Sequence, residues 1–210
     1  MVYNMSTDLS LILKQPLISE QVTSQQVGNI LQQLNYVLDR GVEGTVVEFG
    51  CYIGTTSLFI RRLLDARGDD REFHVYDSFN GLPPKASQDS SPAGEQFKAG
   101  ELAVSKKDFL REFHKANLQP PITHKSWFSD LTPADVPNKI AFAFLDGDFY
   151  ESIRDSLLLV LPKMQPGSVI MIDDYAREAL PGVAKAAREF LPLPLQAAIK
   201  VAHNQAIIQL

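Results

Sequence analysis

Six consecutive apolar residues, Ile140 to Leu145, end abruptly in Asp146-Gly147-Asp148, and an amphipathic helical pattern begins directly afterwards. An unbroken apolar run of this length suits a strand buried on both faces, and the glycine permits a tight turn where it stops. The stretch 168–175 (SVIMIDDY) repeats the construction and closes on Asp173 and Asp174. Earlier in the chain, 46–49 reads as a first strand, 50–54 as a turn, and Thr55 or Thr56 as the N-cap of a helix to about Leu64. Residues 73–76 read as a second strand closing on Asp77, and 122–124 as a short third strand.

The helical segments follow from spacing and caps. Val27, Ile30, Leu31, Leu34 and Leu38 lie on one face of a helix from Thr23 or Ser24 to about Asp39, stopped by Arg40-Gly41. Further helices are expected from Ser105 or Lys106 to about Ala116, over 150–160, and over 180–190. Residues 162–167 read as a turn. Pro192-Leu193-Pro194 breaks the last helix, after which 195–203 and 206–210 alternate like two strands joined at Asn204-Gln205. Residues 1–18 read as a partly ordered arm with Pro16 against any helix, so 1–42 is set apart as an N-terminal helical arm before a domain at 43–210. Residues 81–104, rich in Pro, Gly and Ser without a period, read as a lid loop. The whole predicts an α/β, doubly wound, mostly parallel seven-stranded sheet with an antiparallel C-terminal hairpin.

At 210 residues the chain suits one domain of ordinary size. A net charge of -5, with no long Lys/Arg cluster, argues against nucleic acid as a partner. The single cysteine, Cys51, excludes an internal disulfide and suits a reducing compartment. With no signal peptide pattern and no membrane-spanning run, the expectation is a cytoplasmic protein with no membrane partner. The apolar arm and the hairpin offer surfaces for a homodimer.

Chemistry is expected where the strands end, since ligands of open α/β sheets bind in the crevice at the carboxyl ends. If the 140–145 and 168–172 strands are neighbours, Asp146, Asp173 and Asp174 converge, and three carboxylates repel unless a cation sits between them. All-oxygen ligation suits magnesium or calcium rather than zinc. The turn after the first strand reads Glu48-x-Gly50-x-x-x-Gly54, without the glycines at 52 and 55 that a dinucleotide fingerprint requires. Its carboxylate suits a ligand with a positive amino group and no pyrophosphate, which disfavours an NAD-dependent oxidoreductase. Asp77 stands where an acid accepts both ribose hydroxyls. Glu48 and Asp77 could each merely cap a turn, and their joint spacing favours a ligand. Trp127, at the end of the third strand, suits stacking on a purine and equally suits plain packing.

These motifs, VVEFGCYIGTTS, VYDSFNGLP, LDGDFYES and LPKMQPGSVIMIDDY, together resemble the macrocin O-methyltransferase family, over about residues 43–190. The resemblance implies a Rossmann-like class I methyltransferase fold, S-adenosylmethionine, a divalent metal (usually magnesium) and a hydroxyl-bearing small-molecule substrate, sugar-like or with a vicinal diol. Carried over position by position, it implies cofactor contacts from Glu48, Gly50 and Gly54, with Cys51, Tyr52 and Thr55 in the same turn. Asp77, Ser78, Trp127 and Asp146 complete that set, and Asp146, Asp173 and Asp174 become the metal ligands. Asp146, Asp148 and His203 are the candidates for the base that takes the acceptor proton. Metal-dependent catechol methyltransferases place a lysine at the position of Phe149, so a lysine base acting on a phenol is not implied. The chain ends HNQAIIQL, without the aromatic residues of the macrolide enzymes, so the expected acceptor is smaller than a macrolide. Two alternatives stay open: a phenolic or polyketide hydroxyl as acceptor, and a binding module of the same fold without activity.

Overall fold

The computed structural model describes residues 5–93 and 97–210, with backbone only at 5–8, so the ends of the expected arm (1–4) and the middle of the expected lid (94–96) lie outside the described residues. Seven strands form one sheet in the order β3-β2-β1-β4-β5-β7-β6: β1 (Thr45–Phe49), β2 (Phe73–Asp77), β3 (Ile122–Lys125), β4 (Ile140–Leu145), β5 (Met164–Ile172), β6 (Lys200–Ala202) and β7 (Gln205–Gln209). β1 to β5 run parallel, and β7 lies antiparallel to both β5 and β6. The doubly wound sheet with an antiparallel C-terminal hairpin is therefore as expected. Strand order reverses between β1 and β4, so the crevice that an open α/β sheet offers a ligand lies at their carboxyl ends.

Each face of the sheet carries its own core. Alternation along β1 sends Val46 to one face and Val47 and Phe49 to the other. The first face is covered by α2 (Ser24–Asp39), α3 (Thr55–Arg67) and α4 (Lys106–Lys115). α5 (Tyr150–Val160) and α6 (Pro181–Phe190) cover the second. β4 is buried along its whole length, as its unbroken apolar run requires.

The helix N-termini follow from side-chain chemistry in two cases. Thr23 caps α2 with a full capping box to Gln26, and Ser105 caps α4 through the Asp108 amide. α3 is different. Its N-cap is Gly54, left-handed at φ 97°, rather than Thr55 or Thr56, because the threonine hydroxyls are used elsewhere. Thr55 pairs with the Ser19 hydroxyl at 2.9 Å and Thr56 donates to Glu48.

Three expectations are corrected. A helix, α1 (Met5–Ile12), forms in the expected arm, ending before Pro16, and Ile12 joins the first core. The expected turn at 162–167 is a 3-10 turn, Leu161–Lys163, running straight into β5. Pro166 is exposed there, and Gly167 at φ 82° donates to the Leu210 carbonyl at 2.7 Å. The expected long strand at 195–203 begins instead in a short helix, α7 (Leu193–Ala197), and keeps only three residues as strand, β6. Proline at the first turn of a helix loses no bond and is preset in φ, so Pro194 starts the helix instead of ending one.

The 81–104 segment is pinned where it is described. Leu82 donates to the Glu101 carbonyl at 2.8 Å and Gly100 to the Leu82 carbonyl at 2.9 Å, which closes its neck. Within it, Asp89 is fully buried and accepts from the Tyr150 amide at 2.7 Å. α5 has no capping side chain of its own, so this loop residue supplies the missing acceptor at its N-terminus.

Candidate active site

One cleft, of about 770 Å³ including its mouth, opens at the carboxyl ends of β1, β2, β4 and β5. Its floor is the turn after β1. Gly50, at φ 87°, donates to the Tyr76 carbonyl at 2.8 Å. Asp77 closes this turn: one oxygen accepts from the Cys51 amide at 2.8 Å and the Tyr52 amide at 3.3 Å, the other from the Phe79 amide at 2.7 Å. A carboxylate has about four acceptor positions, and three of those on Asp77 are engaged by backbone amides. Ser78 is held at 3.1 Å on the Gly81 carbonyl. Trp127 and Phe128 form an aromatic wall, with Phe128 edge-to-face on Phe49 at 5.2 Å.

The cleft also holds an acidic cluster. Carboxylate oxygens of Asp146, Asp148 and Asp174 lie within 4.8 Å of one another, the one such acidic group among the described residues. Asp146 arrives at the end of β4, its amide bonded to the Phe49 carbonyl at 2.8 Å. Asp148 (φ 59°) and Asp174 (φ 52°) hold left-handed backbone, as does Tyr52 (φ 48°) on the cleft floor. Non-glycine residues enter that region at a cost, and such outliers gather at functional sites. Burial, then neighbouring carboxylates, push Asp146 well above the usual range and Asp148 to about 8, while burial raises Asp174 against the opposing charge of Arg177.

Asp173 also lines the cleft, but the close cluster contains Asp148 in its place. One Asp173 oxygen accepts from the Gln205 side chain at 2.8 Å. Burial and the Asp174 charge raise Asp173 to about 7. Hard oxygen donors, closely spaced and reluctant to ionise together, fit a divalent cation such as magnesium.

Several expected contacts fall elsewhere. Gly50, Cys51, Tyr52, Asp77, Ser78, Trp127 and Asp146 line the cleft, whereas Glu48, Gly54 and Thr55 do not. Glu48 lies on the strand face turned towards α3, fully buried, accepting from the Thr56 and Ser57 hydroxyls, the latter at 2.5 Å. Burial raises it to about 7. It ties α3 to β1 and has no open path to a ligand amino group. His203 is exposed in the β6–β7 turn at φ 51°, outside the cleft lining. The sequence reading missed Arg177, which lines the cleft, pairs with Asp174 at 3.1 Å and lies 4.8 Å over the Phe97 ring. Its position three residues after Asp174 is the only signal it left.

These titrations have a consequence for stability. Glu48, Asp148 and Asp173 hold protons to about pH 7 or 8 when folded, but only to about 4 when unfolded. Their contribution is thus complete below about pH 4 and is lost as pH rises through 7 and 8. Without divalent cations the melting temperature is expected to fall between pH 6 and 9. Magnesium should raise it more at pH 8.5 than at pH 6, since a cation must displace those protons. Thermal melts with magnesium or EDTA check this, and an equal response at both pH values would contradict the carboxylate cluster as its origin.

Among the described residues no helix is long and apolar enough to cross a membrane. The family model described as Macrocin-O-methyltransferase (TylF) matches residues 15–198. The chain is 34% identical over 162 residues to a tetracenomycin 4'-O-methyltransferase of Streptomyces olivaceus, named for a rhamnosyl-bearing substrate, covering 74% of this chain and 62% of that one. It is 31% identical over 159 residues to the demethyldecarbamoylnovobiocin O-methyltransferase of Streptomyces niveus, covering 72% and 60%. The chain thus spans about six tenths of the curated relatives it matches. The solved structure of the O-methyltransferase NovP superposes with a TM-score of 0.77 at 27% identity, over 90% of this chain and 80% of NovP. The sheet order, the likeness to NovP and a family match that runs through the cleft residues lead to one conclusion: this chain has the Rossmann-like methyltransferase fold and belongs to the TylF macrocin-O-methyltransferase family.

Proposed function

We propose that the protein is an S-adenosylmethionine-dependent O-methyltransferase, dependent on a divalent cation, that methylates one hydroxyl of a sugar-like or vicinal-diol natural product. The observation that carries this reading is a single cleft at the strand ends whose lining brings Asp77, Trp127 and Phe128 together with three convergent carboxylates. Family membership supports the reaction, and the rhamnosyl substrate in the name of the Streptomyces olivaceus relative supports a sugar hydroxyl as acceptor.

When bound, S-adenosylmethionine supplies an electrophilic methyl group, and a divalent cation supplies charge that makes a nearby hydroxyl more acidic. The rest falls to the chain. Asp77 and the backbone of the Gly50 turn hold the nucleoside, with Trp127 available to stack on its base. Asp146, Asp148 and Asp174 hold the cation, with Asp173 beside them, and two neighbouring hydroxyls on the acceptor would be oriented there. Asp146 and Asp148 are the candidates for taking the acceptor proton. His203, exposed outside the cleft, is not part of this proposal. The Pro- and Gly-rich 81–104 segment serves as the lid, anchored by Asp89 and facing the cleft through Leu82, Pro83 and Leu102.

Calorimetric titration of S-adenosylhomocysteine, with and without magnesium and with NAD as control, tests the cofactor. Micromolar binding of the homocysteine product with silence from NAD is expected. No binding by folded protein would instead favour a methyltransferase fold kept as a binding module. Screening diol and phenol acceptors with magnesium then separates the sugar reading from a phenolic or polyketide acceptor.

A further inference from the structure

A buried chain of amides reaches the acid cluster from behind the cleft. The Asn29 side chain, on α2, donates from Nδ2 to Oε1 of Gln205 at 2.8 Å. Gln205, the first residue of β7, donates from Nε2 to Oδ1 of Asp173 at 2.8 Å. All three residues are buried: Asn29 is 7% exposed, Gln205 0% and Asp173 5%. A primary amide is a donor at one end and an acceptor at the other, and it can be flipped. Here both ends are specified. The Asp173 carboxylate can only accept, which turns the NH₂ end of Gln205 towards it and leaves the Gln205 oxygen to accept from Asn29. A second amide pair on the same two elements, Gln209 to Gln33 at 3.5 Å, keeps α2 against β7.

Packing alone does not require this arrangement. A residue at 205 whose task was to fill the sheet would be apolar, like Ala206, Ile207 and Ile208 after it. A fully buried amide is retained where its hydrogen bonds are used. We propose that Gln205, oriented by Asn29, is a positioning residue for the cation site. It holds Asp173 at the edge of the Asp146, Asp148 and Asp174 cluster through one oxygen, so that only the other is available to a cation. Through this chain, α2 and the C-terminal hairpin become part of the metal-binding device. The inference rests on the metal-dependent reading above, and it adds two residues outside the cleft lining to that reading.

The test uses Mn²⁺ as the probe, titrated by calorimetry and by electron paramagnetic resonance into full-length protein. Gln205→Met keeps the length of the side chain and removes the donor. Its Mn²⁺ affinity is expected to fall about ten- to a hundredfold, the usual range for losing a partner that orients a metal ligand. Its affinity for S-adenosylhomocysteine, held through Asp77 and the Gly50 turn, should be unchanged, which a general packing defect would not reproduce. Asn29→Leu touches no carboxylate and should weaken Mn²⁺ in the same direction by a smaller factor, and it serves as the test if Gln205→Met does not fold. Wild-type Mn²⁺ affinity in folded Gln205→Met, or in folded Asn29→Leu if only that variant can be made, overturns the positioning role while leaving the metal reading intact. Wild-type protein that takes up no Mn²⁺ overturns the metal reading, and this role with it.

Discussion

Asp174→Asn is expected to lower methyl transfer by about a thousandfold, the middle of the range for losing one charged group that acts on a transition state. The substitution keeps the size of the side chain and removes the charge. Three oxygens within 4.8 Å of one another then offer a cation two charged donors instead of three. It also strips Arg177 of the partner it holds at 3.1 Å, leaving that guanidinium to repel any incoming cation. Asp146→Asn should behave similarly through its place in the same cluster. S-adenosylhomocysteine affinity should be largely retained in both, because the nucleoside contacts proposed above come from Asp77, the Gly50 turn and Trp127 rather than from the acid cluster. Steady-state turnover alongside product-binding calorimetry checks this. Full turnover in either variant would remove the acid cluster from the proposed mechanism, whereas loss of product binding would point to a collapsed cleft.

The second large effect is structural. Gly50→Ala would place a Cβ 1.9 Å from the Asp146 carbonyl oxygen, on a backbone at φ 87° that alanine avoids. Neither contact is the flexible end of a side chain, so relief requires the turns after β1 and β4 to separate. Left-handed backbone costs about 1–2 kcal/mol and overpacking about 1–3 kcal/mol. For a domain of this size a loss of about 3 kcal/mol lowers the melting temperature by roughly 6–12 °C. The same displacement moves the Cys51 and Tyr52 amides off Asp77, so nucleoside binding should fail before the fold does. A Gly50→Ala protein with wild-type melting temperature and wild-type S-adenosylhomocysteine affinity would show that the close approach of the two turns is not needed.

Those two residues illustrate different kinds of legibility. Asp146 was readable because a six-residue apolar run suits a strand buried on both faces, and whatever follows such a strand stands at the crevice. Gly50 was readable as a turn glycine, but its reason for being glycine is the carbonyl of a residue ninety-six positions later, which no local pattern reports. Glu48 shows the opposite failure. Its place at the end of a strand suggested a ligand contact, yet strand alternation turns it onto the α3 face, where two hydroxyls take both its oxygens. Alternation was visible in the sequence. Which face α3 would cover was not.

The C-terminal region shows how local signals mislead when two structures share a pattern. The residues at 195–203 alternate, but Pro194 within a first helical turn made α7 out of their beginning, and pairing with β7 left only three residues as strand.

The sequence by itself determined the parallel strands, the helices with side-chain caps, the doubly wound class and the acids that would stand at the strand ends. These depend on period, on turn residues and on neighbours a few positions away. Only the tertiary structure decided which acids meet: Asp148 enters the close cluster and Asp173 stands beside it, tied to Gln205. It also brought Arg177 to Asp174 and carried Asp89 from the 81–104 segment to the start of α5. The reason is geometric. Beyond the end of a strand a side chain is aimed by the φ of its own turn residue and by partners supplied from distant elements, and at Asp148 and Asp174 that φ is left-handed, a conformation that only the packing around it can impose.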